Sequence, residues 1–357
     1  MTITGNTQDE VTALASTATA QSSGSKRGPS IADVAAAAGV SAQTVSRVSN
    51  GRTNVQEATR RKVEDAMRLL GYRPNRAARA LKSGRYTTIG IIMFTLSSVG
   101  NVKTLDAITR AASDAGYSIS LIPMPDPASS KFPAAYARLR EQQVDGLIII
   151  FDAHLSDRAD LTLPMDLPTV VIDSTPDQGY TVVDTDQAGG ARQATELLLG
   201  LGHATVWHIG GPATSFSASH RAAAWRETLN EAGIEAPPIL YGDWSTDSGY
   251  RAGMTLASRD DVTAIFAAND HMALGAMRAL HEMGRKIPQE VSIVGFDGLD
   301  ESSSFWPPLT TVHQSFQTVG SLSVQLLLEQ IVGGPAPSTQ LVPTRLVVRE
   351  STSYPHR

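Results

Sequence analysis

The sequence has no cysteine, so it holds neither a disulfide framework nor a thiolate that could ligate a metal or act as a nucleophile. It also lacks a run of about 18 apolar residues, the length needed to span a membrane. The opening stretch "MTITGNTQDEVTALAS" has no basic segment followed by an apolar one, as a secretory signal would. These absences predict a soluble cytoplasmic protein with no membrane partner. With 357 residues, 41% of them hydrophobic, the chain is long enough for two or three domains.

Motifs of catalysis are missing as well. There is no G-x-x-x-x-G-K-[ST] phosphate loop, no G-x-G-x-x-G after a strand, no H-E-x-x-H and no G-x-S-x-G. The eight histidines are scattered along the chain. We therefore expect no catalytic residues, no metal site and no cofactor, and the chain is predicted not to be an enzyme.

Charge is distributed very unevenly. Residues 1–28 are rich in Ser, Thr, Ala and Gln and are predicted to form a disordered tail. Between Lys26 and Arg85 there are thirteen Lys and Arg against four acidic residues, a net charge of +9, whereas residues 86–357 carry 17 basic and 29 acidic side chains, a net charge of −12. A basic head on an acidic body indicates that the head binds a polyanion.

The stretch "PSIADVAAAAGVSAQTVSRVSNG" has the pattern of two short helices joined by a tight turn. Ser30 and Asp33 form a capping-box signal for a helix that runs to Ala38. Gly39 permits the turn, and Ser41 caps a second helix through about Asn50. Small and apolar side chains at helical spacing predict that the two helices cross closely: Val34, Ala35, Ala38, Val40, Val45 and Val48. This is the pattern of a helix-turn-helix unit.

The polar face of the second helix has residue types that suit base edges. Gln43 can pair with adenine, Arg47 with guanine, and Ala42 offers a methyl contact. Other polar residues are predicted to bind phosphates: Ser30, Ser41, Thr44, Ser46 and Asn50. The alternative, that these are ordinary surface polar residues, fits less well with the local charge of +9.

A third helix is predicted with Asn54 and Glu57 as its cap signals, an apolar stripe ending at Leu70, and a stop at Gly71. The next segment, "YRPNRAARALKSGR", is basic and too short to form a stable helix alone in water. Leu81 near its end could wedge into a minor-groove step once the segment folds on DNA. Four residues of this predicted hinge helix, 73–85, are predicted to contact DNA: Asn75, Arg76, Arg79 and Leu81. A flexible linker is the alternative.

Apolar runs of strand length alternate with helical patterns over the rest of the chain. They include "TTIGIIMF", "YSISLIP", "VDGLIIIF", "TVVID", "ATVWHIG", "AIFAAN" and "VSIVGFD". This alternation predicts an α/β fold with doubly wound parallel sheets in two lobes, one from 86 to about 185 with a later return and one from about 186 to 315.

Polar residues stand at the ends of three of these strands, where ligands bind in open parallel sheets: Asp173, Asn269 and Asp297. Each could bond to vicinal hydroxyls, although strand-end capping is an equally good interpretation of each alone. The Arg221 guanidinium adds several hydrogen-bond donors, and the Trp244 ring offers a flat surface on which a sugar ring can stack. Together they favour a neutral sugar as ligand.

From residue 29 to 357 the chain resembles the LacI/GalR family of bacterial transcription regulators. The matching blocks are "DVAAAAGVSAQTVSRVSN", "YRPNRAARAL", "GDWSTDSG", "ANDHMALGAMRAL", "VSIVGFD" and "SFWPPLTTVHQ". With the tail predicted at 1–28 from its composition, the chain has four parts. The resemblance implies the other three: a helix-turn-helix DNA-binding domain at 29–72, the hinge helix at 73–85, and a two-lobed periplasmic-binding-protein-like effector and dimerisation core at 86–357. It also aligns seven residues with effector-contacting positions of a family member: Asp173, Arg221, Trp244, Asn269, Asp297, Gln314 and Phe316. Ala42 departs from the bulky residue of that member, so a different operator is expected.

The resemblance further implies a homodimeric repressor that binds palindromic operator DNA and responds to a small sugar effector, with a galactoside or other glycoside favoured. A purine or nucleoside effector is the alternative within the family. Two other classes fit less well: an enzyme with a DNA-binding appendage would need a phosphate loop, and a periplasmic sugar-binding protein would have a signal peptide and no basic head. The final stretch "TRLVVRESTSYPHR" has no leucine heptads, so a dimer is expected rather than a tetramer.

Overall fold

The structure is a computed structural model that divides into two compact units, one ending at Gly84 and the other beginning at Arg85. It describes residues 28–50, 54–73, 84–96, 98–124, 132–151, 166–173, 180–334 and 338–355. Nearly all of the predicted tail and most of the predicted hinge helix lie outside these ranges. The four-part division of the chain therefore stays a prediction.

Among its described residues, the first unit has three helices around a small apolar core. They are α1 (Ile31–Ala38), α2 (Ala42–Ser49) and α3 (Glu57–Leu70). The capping box is present, because the Ser30 backbone N–H donates to Asp33 Oδ2 at 2.7 Å and the Asp33 N–H donates to Ser30 Oγ at 3.4 Å. Gly39 ends α1 with a φ of +65°, and Ser41 Oγ caps α2 by accepting from the Thr44 N–H at 3.1 Å. The local signals for α1 and α2 are thus confirmed.

Two details of α3 differ from the expectation. Its N-cap is Gln56, which makes no side-chain capping bond, so Asn54 does not cap the helix. Leu70 is exposed in the last turn. Because Gly71 turns the chain back with a φ of +65°, it is Tyr72 that packs against the core there. The core itself is formed by Val34, Ala35, Val45, Val48, Val63 and Ala66.

The second unit contains two six-stranded sheets. The strands of the first are β1 (Thr88–Met93), β2 (Ser118–Pro123), β3 (Gly146–Ile150), β4 (Thr169–Ile172), β5 (Thr181–Thr185) and β11 (Thr339–Val342), in the order β11-β5-β4-β3-β1-β2. The strands of the second are β6 (Trp207–Gly210), β7 (Leu240–Tyr241), β8 (Ala264–Ala267), β9 (Ser292–Asp297), β10 (Thr310–His313) and β12 (Arg345–Val347), in the order β12-β10-β9-β8-β6-β7. All pairings are parallel except β10 with β12, which is antiparallel.

Helices cover both faces of each sheet, as continuous apolar strands require. They are α4 (Val99–Asp114), α5 (Phe132–Glu141), α6 (Gln187–Gly200), α7 (Phe216–Glu231), α8 (Thr246–Ala257), α9 (Asp270–Glu282) and α10 (Phe316–Ile331). Along β1, Ile91 and Met93 face one buried cluster while Ile92 faces the other. The two-lobed α/β architecture is therefore confirmed. Among the described residues, every helix is too short or too polar to span a lipid bilayer.

The chain passes between the two lobes three times, between β5 and α6, between β10 and α10, and between β11 and β12. The first and third of these crossings touch each other, since the Asp186 N–H donates to the Val342 carbonyl at 2.8 Å and Gln193 Nε2 donates to Thr344 Oγ1 at 3.3 Å. The expected return of the chain to the first lobe is confirmed as α10 and β11. The antiparallel β12, which returns to the second lobe, was not predicted, because a three-residue strand has too little pattern of its own.

Candidate functional site

One face of α2 is open and polar. Ala42, Gln43 and Arg47 are exposed, whereas Val45 and Val48 on the other side are buried in the core of the first unit. The helix is therefore held by its apolar side while its base-reading residue types point to solvent. Their contact with DNA stays a prediction.

The residues predicted to bind phosphates lie at the ends and flank of this pair of helices. Ser30 and Ser41 are helix caps, and Ser41 Oγ also lies 3.0 Å from Thr44 Oγ1. Asn50 Nδ2 donates to the Ser46 carbonyl at 2.7 Å. Ser30, Ser41 and Asn50 are exposed, while Thr44 and Ser46 are half-buried. Four further predicted contacts lie outside the described residues: Asn75, Arg76, Arg79 and Leu81.

In the second unit a cavity of about 380 Å³ brings together all seven residues predicted to contact an effector. They are Asp173, Arg221, Trp244, Asn269, Asp297, Gln314 and Phe316. The volume is in the range of small-ligand sites. The lining residues come from the first lobe, from the second lobe and from the crossings between them. Whether they bind an effector stays a prediction.

The position of the cavity follows from the topology. Asp173 follows β4, Asn269 follows β8 and Asp297 ends β9, so these side chains stand at the carboxyl ends of parallel strands. Asn269 is also a helix cap, because its Oδ1 accepts from the Met272 N–H at 2.8 Å at the start of α9. Both interpretations of Asn269 thus hold at once: it caps a helix and it lines the cavity.

Three lining residues have a backbone conformation that side chains rarely adopt. The φ angles are +59° at Asp173, +70° at Trp244 and +108° at Asp297. Such conformations cost about 1–3 kcal/mol each and persist only where surrounding contacts impose them. Here the Trp244 carbonyl accepts from Asn269 Nδ2 at 3.1 Å, and the Asp297 carbonyl accepts from the Gln314 N–H at 3.3 Å.

Arg221, on α7, is buried at the floor of the cavity and heavily engaged. Its Nε donates to Gln187 Oε1 at 2.8 Å, and its Nη1 donates to the Ala268 carbonyl and lies 3.7 Å from Asp297 Oδ1. The guanidinium carbon also stands 3.7 Å from the centre of the Phe296 ring. Burial lowers the pKa of Arg221, and the carboxylates around it, led by Asp297 and Asp173, oppose that shift.

Two buried carboxyl groups close to Arg221 titrate near neutrality. Burial raises the pKa of Asp297 to about 7, although Arg221 and a 2.6 Å hydrogen bond from Gln314 Nε2 both favour its charged form. Burial also raises the pKa of Asp184 to about 7, against the hydrogen bonds from the Thr185 N–H and from Gln187. Around pH 7 each group is therefore partly protonated, so each can be a hydrogen-bond acceptor in one form and a donor in the other.

The aromatic residues are fixed by close approaches to glycine. A Cβ at Gly211 would lie 2.3 Å from the Trp244 ring, and one at Gly100 would lie 2.9 Å from the Phe316 ring. Only glycine leaves room for each ring at these points. The Trp244 ring is half-buried, so part of its surface is available to a ligand.

Several lining residues were missed by the sequence analysis. Asp184 is the penultimate residue of β5 in "TVVDT", so the strand-end rule that identified Asp173 and Asp297 could have found it. Gln187 starts α6 two positions after β5, as Asn269 follows β8, so the same rule could have found it. Ser217 has no such signal, because it lies in the first turn of α7, away from any strand end. Ser217 Oγ donates to Asp173 Oδ2 at 3.2 Å and so connects the two lobes.

This arrangement combines carboxyl, amide, hydroxyl and guanidinium groups with two aromatic rings. Such a lining can exchange several directed hydrogen bonds with a ligand while an apolar ring covers one of its faces. It suits a small polyhydroxylated molecule.

Two family models match the chain. Residues 30–75 match the model described as bacterial regulatory proteins, lacI family, and residues 195–352 match a periplasmic binding protein-like domain.

Curated relatives match over nearly the whole chain. The lactose operon repressor of Escherichia coli (strain K12) is 36% identical, over 91% of this chain and 91% of its own. The regulator CelR of Thermobifida fusca is 35% identical, over 91% of this chain and 99% of its own. The HTH-type transcriptional repressor PurR of Pasteurella multocida (strain Pm70) is 33% identical, over 84% of this chain and 91% of its own.

Solved structures match as well. A lac repressor dimer bound to operator and the anti-inducer ONPF superposes with a TM-score of 0.83 at 35% identity, covering 92% of this chain and all of that one. A CelR–cellobiose complex superposes with a TM-score of 0.68 at 32% identity, covering 90% of this chain and 99% of that one.

Proposed function

Because the chain belongs to the lacI family of bacterial regulatory proteins and is a DNA-binding transcriptional regulator, we propose that it is a repressor that binds a palindromic operator as a homodimer and responds to a small sugar. We propose no enzymatic activity for it, since the relatives named above are regulators and repressors.

The exposed face of α2 supports operator binding. Gln43 and Arg47 have the side chains that pair with adenine and guanine in the major groove, and Ala42 is small enough for a thymine methyl. A second copy of the chain would present the same face again, so a palindrome matches the symmetry of the dimer. The lac repressor dimer bound to operator, to which this chain is similar, supports the same arrangement.

The cavity lining is the observation that carries the sugar proposal. Asp173, Asn269, Asp297 and Arg221 surround the cavity with hydrogen-bonding groups, and the half-buried Trp244 ring offers a stacking face. The relatives include the lactose operon repressor and a CelR regulator solved in complex with cellobiose, which support the sugar proposal, and we favour a galactoside or another glycoside.

A purine or nucleoside is the second candidate. The PurR relative favours it, and Trp244 and Phe316 both line the cavity and could each cover a flat base. The carboxyl groups of Asp297 and Asp184 could also bond to ring N–H groups. Since a sugar offers more hydroxyl partners for this many polar side chains, we rank the purine second.

The proposed mechanism uses the crossings between the lobes. A ligand that contacts both lobes favours the arrangement of the lobes to which it binds more tightly, and the chain turns at the crossings. The new arrangement changes the affinity of the dimer for its operator. By linkage, operator DNA must change the affinity for the ligand by the same factor.

The test begins by selecting an operator from a library of randomised palindromes with the purified full-length chain. Its affinity is then measured with and without galactose, lactose, cellobiose and a purine base. We expect one of the sugars to change operator affinity at least about tenfold, within the usual range of allosteric coupling. A change with the purine alone would select the second candidate, and no preference for any palindrome would overturn the operator proposal.

A further inference from the structure

The cavity has a marked excess of acidic groups. Four aspartates line it: Asp173, Asp184, Asp243 and Asp297. Among the described lining residues, Arg221 is the one side chain with a permanent positive charge. Asp243 lies 3.9 Å from Arg251, which offsets its charge. The other three aspartates still outnumber Arg221, so a ligand that enters this space meets more negative than positive charge.

Arg221 has little capacity left for an anionic ligand. Two of its three nitrogens already have partners, since Nε donates to Gln187 Oε1 at 2.8 Å and Nη1 lies 3.7 Å from Asp297 Oδ1. Its positive charge is also already balanced by the carboxylates around it, to which Asp173 and Asp184 contribute. A phosphate that makes a bidentate contact with the Arg221 guanidinium would have to displace Gln187 or Asp297.

Helix N-termini at the cavity are the opposing influence, since they favour anions. Those of α8, α9 and α10 are already capped by Ser245, Asn269 and Ser315, whereas α4 begins without a side-chain cap. One terminus favours an anion by about two- to fivefold. A single carboxylate at about 6 Å disfavours one by roughly 100-fold at an effective dielectric constant of about 20. The carboxylates therefore dominate.

We propose that this cavity binds uncharged or cationic carbohydrates and rejects their phosphorylated and carboxylated forms. The inference rests on the proposed sugar effector and narrows its class. It follows that the regulator senses a sugar before a phosphoryl-transfer or oxidation reaction adds a negative charge to it.

The test uses the purified full-length chain in calorimetric titrations at pH 7.5 and 0.15 M salt. Neutral mono- and disaccharides are screened together with matched charged sets: galactose, galactosamine, galacturonate and galactose 6-phosphate, and the same four forms of glucose. We expect the anionic members to bind at least about 30-fold more weakly than the neutral parent, consistent with the repulsion estimated above.

The possible failures are distinguishable. A uronate or sugar phosphate that binds as tightly as its neutral parent, or binds when no neutral sugar does, overturns the charge selection and leaves a carbohydrate effector standing. If no sugar of either kind binds, the proposed sugar effector fails and this inference fails with it.

Substitutions in the cavity provide a second test of the charge selection. At pH 7.5 Asp297 is mostly ionised, because its pKa is about 7, so Asp297→Asn removes most of one negative charge next to Arg221. The ratio of galacturonate to galactose affinity is therefore expected to rise at least about tenfold. We compare this affinity ratio, and not the galacturonate affinity alone, because the substitution also changes a group that is proposed to bond to the neutral sugar. Asp261→Asn, an exposed site paired with Arg259, is the matched control and should leave the ratio unchanged. If Asp297→Asn does not fold, Asp173→Asn takes its place, and a wild-type ratio in the folded variant overturns the proposal.

Discussion

At the scale of single residues, left-handed backbone conformations and a raised pKa occur together at the cavity. Asp297 has a left-handed φ, a nearly complete burial and a pKa raised to about 7. Asp173 and Trp244 share the left-handed backbone. Backbone strain and perturbed pKa values both cluster at functional sites, and here two independent indicators fall on one side chain.

The first prediction concerns Arg47. Arg47→Ala should weaken binding to the selected operator by about 1–3 kcal/mol, the value of one bidentate base contact, and leave ligand binding unchanged. Arg68→Ala, an exposed arginine that pairs with Asp65 on α3, is the control and should retain the sequence preference. Fluorescence anisotropy with the operator and with a scrambled duplex gives the DNA affinity of each variant. Equal losses on the two duplexes would remove Arg47 from base reading.

The second prediction concerns the pH dependence of stability. The pKa of Asp297 is 3.8 when unperturbed and about 7 in the folded chain, so the folded state holds a proton that the unfolded state releases between those values. The stability contributed by this group is complete below about pH 4 and is lost as the pH rises through about 7. Asp297→Asn is permanently neutral. Its free energy of unfolding relative to the wild type should therefore rise from pH 5 to pH 8, by about 3 kcal/mol.

Urea unfolding at the two pH values checks this prediction. His208, whose pKa is lowered to about 4 by burial, titrates in both proteins and cancels from the difference. Asp261→Asn is the control, because hydrogen bonding to Arg259 lowers the pKa of Asp261 and it stays ionised across the range. A difference that stays constant or falls with pH would contradict the assignment.

At the scale of elements, the second lobe depends on two helices in backbone contact. A Cβ at Gly275 on α9 would lie 1.9 Å from the Thr246 carbonyl oxygen on α8, and one at Gly249 would lie 2.2 Å from the Met272 carbonyl oxygen. Each helix starts next to a lining residue, Trp244 before α8 and Asn269 before α9, and these two residues are hydrogen-bonded. The close packing of α8 on α9 thus positions one wall of the cavity.

The third prediction follows from that packing. Gly275→Ala should force the helices apart, reduce the free energy of unfolding by about 1–3 kcal/mol and weaken ligand binding. Gly200→Ala is the matched control, because Gly200 is the last residue of α6 and a Cβ there meets nothing within 4 Å. That change should leave stability equal or slightly higher. Thermal unfolding and titration of both variants make the comparison, and equal stability for the two would be inconsistent with the close contact.

At the scale of the whole molecule, operator binding by the basic part and sugar binding by the acidic part should differ in their sensitivity to salt. The residues from Lys26 to Arg85 carry +9 and those from 86 onward carry −12. Binding to DNA releases counterions from the phosphates that basic side chains neutralise, whereas an uncharged ligand releases none.

The fourth prediction is that operator affinity falls about 10³-fold or more between 50 and 200 mM salt, as for proteins that make six or more phosphate contacts. Affinity for a neutral sugar should change by less than about twofold over the same range, because that ligand has no charge to screen. Titrations at four salt concentrations give both slopes. A shallow slope for the operator would mean that the basic head does not contact the phosphates.

Much of this architecture was predictable from the sequence because its signals are local. A capping box at Ser30, a glycine at 39 and a serine at 41 define two helices within their own neighbourhood, and the structure confirms them. The strand-length apolar runs predicted the two-lobed α/β fold, and the family resemblance, with the lactose operon repressor among the relatives, is confirmed. The strand-end rule together with the resemblance also identified seven residues that the fold brings to one cavity.

Tertiary structure alone decided what those residues experience. The sequence identified Arg221 as a donor but could not show that Gln187, Ala268 and Asp297 already engage it, since these partners lie 34 to 76 positions away along the chain. Nor could it show the raised pKa of Asp184 and Asp297, because desolvation depends on what packs around a group. The local sequence therefore identified which residues form the site. Their charge state and the hydrogen-bonding groups they have left for a ligand are set by residues that are distant in sequence and packed around them.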